Sequence, residues 1–212
     1  MKLVLCFIHI EKTAGTSMRS ALYNAFGKDQ TFWHGIDGSI HELKSIEYRV
    51  IGGHFSTCHV QPILSGPCYY ASVIRHPVDR AISLFHYIKC GAPAGHPLRS
   101  AIADMSLEEA LMQCGPFFSS VNNAQCAALS GSRTFAETKI FIEENRFMLS
   151  SFENVQHICD RINKRFGVSV ELKERLNTGA PHYQGRYITD GALRRLSEIN
   201  EEDTKLYNFV NL

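Results

Sequence analysis

The sequence predicts an α/β fold of three layers, a central parallel β-sheet flanked by helices, built as a single domain over residues 1–212. Three observations predict it. The run Leu3 to Ile10, Leu-Val-Leu-Cys-Phe-Ile-His-Ile, is almost continuously apolar and β-rich, as a strand buried on both faces is written. Further short apolar runs alternate with helix-periodic stretches, the pattern of βα units. The turn after the first run carries a lysine, a glycine and hydroxyls where a helix begins, and parallel sheets place their ligands at such strand ends.

Taken in chain order, Met18, Leu22, Ala25 and Phe26 repeat at helical spacing, so the opening segment reads strand, tight turn, amphipathic helix. Tyr48 to Ile51 is a short strand closed by Gly52-Gly53, and Tyr69 to Ile74 another, closed by Arg75-His76-Pro77. Pro77 suits the first turn of a helix with Val78, Ile82, Phe85 and Lys89 on one stripe and Arg80, Ser83 and Tyr87 on another. Residues 92 to 133, richer in Gly, Pro, Ser and Asn, are read as helices such as Leu107 to Met112 joined by loops. Arg146 to Ser150 reads as a strand, and a helix follows from Asn154 to Phe166, stopped by Gly167. A polar loop, Asn177 to Arg186, precedes one final helix from Asp190 onward. There are no internal repeats or heptads.

Twenty-two basic residues against 21 acidic ones give a net charge of +1, which exerts no global pull on nucleic acid or an anionic membrane. Anion binding is therefore local. Seven scattered cysteines with no C-x-x-C pair indicate reduced thiols and a cytoplasmic protein, not a disulfide frame or a zinc site. The first apolar run is too short to span a bilayer and no signal-peptide pattern precedes it, so no integral membrane contact is expected.

Lys12, Thr13, Ala14, Gly15, Thr16 and Ser17 occupy the turn and the first helical residues, where backbone N–H groups and the helix dipole favour a phosphate. Lys12 taken alone would be a solvated turn lysine; in register with Gly15, Thr16 and Ser17 after a buried strand it reads as a phosphate ligand. The order of residues does not fit G-x-x-x-x-G-K-[ST], which disfavours an ATP site of that type. A second signal is VIRHPVDRAISLFHY, in which Arg75 at a strand end is followed eight residues later by Ser83 on a helix.

Together the two motifs resemble the sulfotransferases that use 3′-phosphoadenosine 5′-phosphosulfate (PAPS), in the branch of the heparan sulfate 2-O-sulfotransferases and their bacterial relatives. There a segment reading roughly H-I-P-K-T-A-G-T-S binds the 5′-phosphosulfate, and R-[DH]-P with a helical serine binds the 3′-phosphate. The counterparts here are His9 to Ser17 and Arg75 to Ser83. The resemblance implies a P-loop-like sulfotransferase fold in which Lys12 touches the 5′-phosphate and bridging oxygen, Ala14 to Ser17 supply backbone and hydroxyl donors, and Arg75 and Ser83 grip the 3′-phosphate. N-N-A-Q-C-A-A-L-S-G is similar, more weakly, to a family segment near the acceptor. Glu11 stands where the family usually has proline, and His76 where an aspartate is common.

Sulfuryl transfer needs in-line geometry and charge stabilisation on the leaving oxygen, which a lysine can supply, and no carboxylate cluster suited to a metal is seen. The acceptor hydroxyl needs a base, and histidine is the side chain best matched to neutral pH. His54, in Gly-Gly-His-Phe-Ser, resembles the G-H-[FV] element that carries the catalytic histidine of the glycan 2-O-sulfotransferases; His59 is the runner-up, and His9 is expected to pack near the core. Trp33, His34 and the stretch Phe117 to Gln125 either line an acceptor pocket or simply pack. The leading expectation is a PAPS-dependent sulfotransferase acting on a hydroxyl of a carbohydrate or small polar metabolite. A P-loop phosphotransferase and a non-catalytic nucleotide- or glycan-binding module are the alternatives.

Overall fold

The computed structural model describes residues 3–43, 47–64, 66–172 and 188–212. In chain order the elements are β1 (Val4–Ile8), α1 (Gly15–Phe26), β2 (Thr31–Trp33), β3 (Val50–Gly53), α2 (Thr57–Val60), β4 (Cys68–Ile74) and α3 (Pro77–His86). There follow α4 (Leu107–Gln113), α5 (Gly115–Val121), α6 (Ala124–Ser130), α7 (Phe135–Glu144), β5 (Phe147–Ser151), α8 (Val155–Phe166), α9 (Asp190–Ile199) and α10 (Glu201–Val210).

The five strands form one sheet in the order β2-β3-β1-β4-β5, and every neighbouring pair is parallel. The fold is thus α/β with a central parallel sheet flanked by helices. β1 is the middle strand, with Leu5 opposite Val50 on one side and Tyr69 on the other. Its alternate residues feed two cores: Leu5 and Phe7 pack with Met18 and Leu22 of α1 and Ile158 and Ile162 of α8, while Cys6 and Ile8 pack with Cys126 and Leu129 of α6 and Leu206 of α10. A strand sandwiched in this way must be apolar on both faces, which is why its sequence shows no alternation. A further apolar cluster joins Phe85 of α3, Leu111 of α4, Phe117 of α5 and Leu196 of α9.

Several expectations are corrected. β1 stops at Ile8, two residues before the apolar run ends, because the chain leaves the sheet at His9 to enter the loop. Gly52 and Gly53 belong to β3 instead of closing it. β2 is an additional strand containing the buried Trp33, so this indole packs in the core against Phe7 and Tyr23. Arg80, expected on the second stripe of its helix, is fully buried and donates to the carbonyl of Ser120 at 3.0 Å. The final helix is two, α9 and α10, broken at Asn200, whose buried carboxamide donates back to Leu196 O at 3.0 Å. The loop Asn177 to Arg186 lies outside the described residues. All seven cysteines are free thiols, and no helix among the described residues is long and apolar enough to cross a membrane.

Candidate active site

The carboxyl ends of β1, β3 and β4, three adjacent strands, deliver Lys12, His54 and Arg75 to one edge of the sheet. The β1–α1 loop is tightly wound. Lys12 (φ 69°) and Ala14 (φ 68°) both adopt the left-handed conformation, which costs a non-glycine residue about 1–2 kcal/mol each. Strain of this kind persists only where the surroundings over-determine it. Thr13 supplies one such restraint, since its buried hydroxyl donates to Ile10 O at 2.8 Å. That proton is spent on closing the loop. Ala14 offers α1 no side-chain cap, and the first i−4 bond of the helix runs from Met18 N to Ala14 O at 3.0 Å. The N–H groups of Gly15 and Thr16 precede that bond, and the first turn holds no acidic residue. Free N–H groups and the positive end of the helix dipole make this helix start suited to an anion.

Two cations converge on it. Arg75 follows β4 directly; its guanidinium donates to Lys12 O at 3.2 Å and lies over the Phe152 ring, 4.7 Å from the centroid. The Lys12 ammonium stands 4.3 Å from the centroid of Tyr87, on the π-helical turn that extends α3. Burial, and after it the Arg75 charge, lowers the Lys12 pKa from its usual value, with Glu11 acting the other way. No carboxylate forms an ion pair with Lys12 or Arg75 among the described residues. Arg75 is also held through its main chain: the buried Gln125 accepts from Arg75 N at 3.0 Å and donates to Arg75 O at 2.9 Å. Ser83 lies half-buried on α3, and no hydrogen bond joins it to Arg75 or to the loop among the described residues.

His54 is exposed just past β3, where Gly53 turns the chain at φ 141°, a conformation other residues avoid. Its Nδ1 lies 2.8 Å from His9 O. A carbonyl can only accept, so Nδ1 carries the proton and Nε2 keeps a lone pair. His59 is wired the opposite way: its Nδ1 accepts from Ser56 N at 3.2 Å, so in the neutral ring Nε2 is the N–H. His9, expected to pack near the core, lies just past β1 with its ring 5.8 Å from that of the buried Trp33, and it also stacks on His54, ring centroids 3.9 Å apart. His76 packs edge-on against Tyr207 at 5.4 Å, and His34 Nδ1 accepts from Ile40 N at 3.1 Å.

The structure therefore brings together Lys12, Thr13, Ala14, Gly15, Thr16, Ser17 and Arg75, and ties His54 to the same loop through His9. Sequence reasoning missed Tyr87, Phe152, the stacking role of His9 and the Gln125 bracket. The one available signal was a glutamine set among small apolar residues in Ala-Gln-Cys-Ala-Ala, the mark of a buried amide that must find main-chain partners. Among the described residues no group of three or more His, Cys, Asp or Glu is arranged to hold a metal ion.

Fold and site define a parallel α/β protein whose first strand–helix loop has two cations beside it and a geometry suited to an anion, next to a histidine whose Nε2 lone pair is left by its Nδ1 hydrogen bond. No family model matches the chain, and no curated protein does. Among solved structures it is similar to the mouse sulfotransferase SULT7A1 complexed with PAP, at 16% identity and a TM-score of 0.40, over 95% of this chain and 64% of that one. The chain thus spans less than two thirds of that protein.

Proposed function

We propose that the chain is a sulfotransferase that moves the sulfo group of PAPS to a hydroxyl of a carbohydrate or small polar metabolite, with no metal, as the motif resemblance implies. The observation that carries this reading is the meeting of Lys12 and Arg75 beside a helix start without a side-chain cap, neither cation being in an ion pair with a carboxylate among the described residues. Such a site fits a ligand with several phosphate charges. Gly15, Thr16 and Ser17 bind the 5′-phosphate, and Arg75 binds the 3′-phosphate with Ser83 as its helical partner. In the transfer the acceptor oxygen forms a bond to sulfur as the bond from sulfur to the 5′-phosphate oxygen breaks. The hydroxyl proton passes to His54 Nε2, and Lys12 stabilises the charge that develops on the departing oxygen. The free thiols support a reducing, cytoplasmic setting.

The test is metal-free binding of adenosine 3′,5′-bisphosphate. At about a hundred times its dissociation constant it should stabilise the fold by roughly 2.7 kcal/mol, and ATP with magnesium should do much less. Arg75→Ala should weaken bisphosphate binding about ten- to a hundredfold, the loss of a charge-assisted contact. Strong stabilisation by ATP-magnesium with none by the bisphosphate would replace this reading with a phosphotransferase. An acceptor screen with PAPS, read by mass spectrometry, then identifies the product.

A further inference from the structure

Gly15 has no positive φ, so its lack of a side chain is not explained by backbone conformation. The explanation is His9. A Cβ on Gly15 would lie 1.6 Å from His9 Cδ2 and 1.8 Å from His9 Nε2, far inside contact distance. The same imidazole stacks on His54 at 3.9 Å with the planes 30° apart and lies 5.8 Å from the Trp33 ring, and the His9 carbonyl accepts the His54 Nδ1 proton at 2.8 Å. His9 Nδ1 is itself buried without a hydrogen-bond partner among the described residues, an arrangement that a purely structural side chain would be expected to avoid.

We propose that His9 is a positioning residue that couples the phosphate loop to the base: its ring is wedged between Gly15 and His54, so the loop's shape sets the orientation and tautomer of His54. This rests on the proposed roles of the loop and His54. The charged and titratable groups around His9 are His54, Arg19 and Lys12. Burial first, and after it these neighbours, push the His9 pKa down to about 2 and keep the ring neutral, so it stacks without repelling a proton arriving on His54.

The test reads the His54 tautomer by long-range ¹H–¹⁵N spectra of the imidazoles at alkaline pH, with no cofactor present, and bisphosphate affinity separately. Wild type should show His54 protonated on Nδ1. Gly15→Ala should displace the His9 ring, shift His54 toward the Nε2–H form and weaken bisphosphate binding about tenfold. In the His9→Ala background, where nothing fills the space, adding Gly15→Ala should cost less than threefold more in affinity and leave the tautomer ratio of His9→Ala unchanged. Non-additivity of this kind is the signature of direct coupling. Should Gly15→Ala fail to fold, the double variant must fold; if it does not while His9→Ala does, the wedge is refuted. Equal effects of Gly15→Ala in both backgrounds, or a wild-type His54 tautomer in Gly15→Ala, would also overturn it. Failure of wild type to bind the bisphosphate would sink the sulfotransferase reading while leaving the tautomer result to decide the coupling.

Discussion

In the proposed mechanism, replacing His54 by alanine removes the proton acceptor but leaves the anion loop in place, whereas replacing Lys12 removes a group assigned to the donor itself. His54→Ala should therefore keep bisphosphate affinity nearly intact and lower turnover by about 10²–10⁴-fold, the range for a positioned general base. Lys12→Ala should reduce both affinity and turnover, the latter by roughly 10²–10³-fold, as for loss of an electrostatic transition-state donor. The pH–rate profile should have an acidic limb that vanishes in His54→Ala. His59→Ala serves as the control, since its Nδ1 lone pair is occupied by Ser56 N. If His59→Ala abolished activity while folded His54→Ala retained it, the base would have to be reassigned.

At the level of elements, α6 and α10 cap each other. Asn123, left-handed at φ 41° before α6, accepts through Oδ1 from Glu202 N at 3.1 Å and Asp203 N at 3.0 Å in the first turn of α10. Asp203 returns the favour, its carboxylate accepting from Gln125 N at 2.9 Å and Cys126 N at 2.8 Å in the first turn of α6. Its charge also faces the buried Arg80. Asp203→Ala would leave two buried N–H groups without their acceptor and remove the charge that faces Arg80, and should cost about 2–5 kcal/mol in urea unfolding. Asn123→Ala should cost about 1–2 kcal/mol. A loss below 1 kcal/mol for Asp203→Ala would show that the caps contribute little. Because α6 carries the Gln125 bracket on Arg75, the same damage should weaken bisphosphate binding. None of this was legible in the sequence. The first strand, loop and helix were, because burial on both faces and helical spacing leave periodic traces at Leu3 to Phe26. β2 is only Thr31–Trp33, too short for any period, and the break at Asn200 is set by partners 77 residues away. Lys12, Arg75 and His54 could be named as candidates because motifs are local, whereas Gln125, Phe152 and Tyr87 come beside Lys12 and Arg75 only through tertiary contact.

For the molecule as a whole, His9 ties stability to pH. Burial, then His54, Arg19 and Lys12, push its folded pKa from 6.5 to about 2. Between those values the unfolded chain binds a proton that the folded chain refuses, so stability is complete above about 6.5 and falls as pH is lowered, by up to about 1.4 kcal/mol per unit. His86, lowered by burial, adds the same sign, while the Asp203 carboxyl, raised by burial, adds the opposite one. The informative quantity is thus a difference: between pH 7.5 and 5, wild type should lose about 2 kcal/mol more than His9→Gln in urea midpoints. Parallel slopes would place the proton-refusing group elsewhere. The central position of β1 also governs the order of events at the ribosome. Its partners β3 and β4 begin at Val50 and Cys68, so this fully buried strand is synthesised before either of them. At about 5–20 residues per second, the stretch from β1 to β3 takes roughly 2–8 s to make, an interval in which Val-Leu-Cys-Phe-Ile is an open edge on both sides and a natural ligand for a holding chaperone.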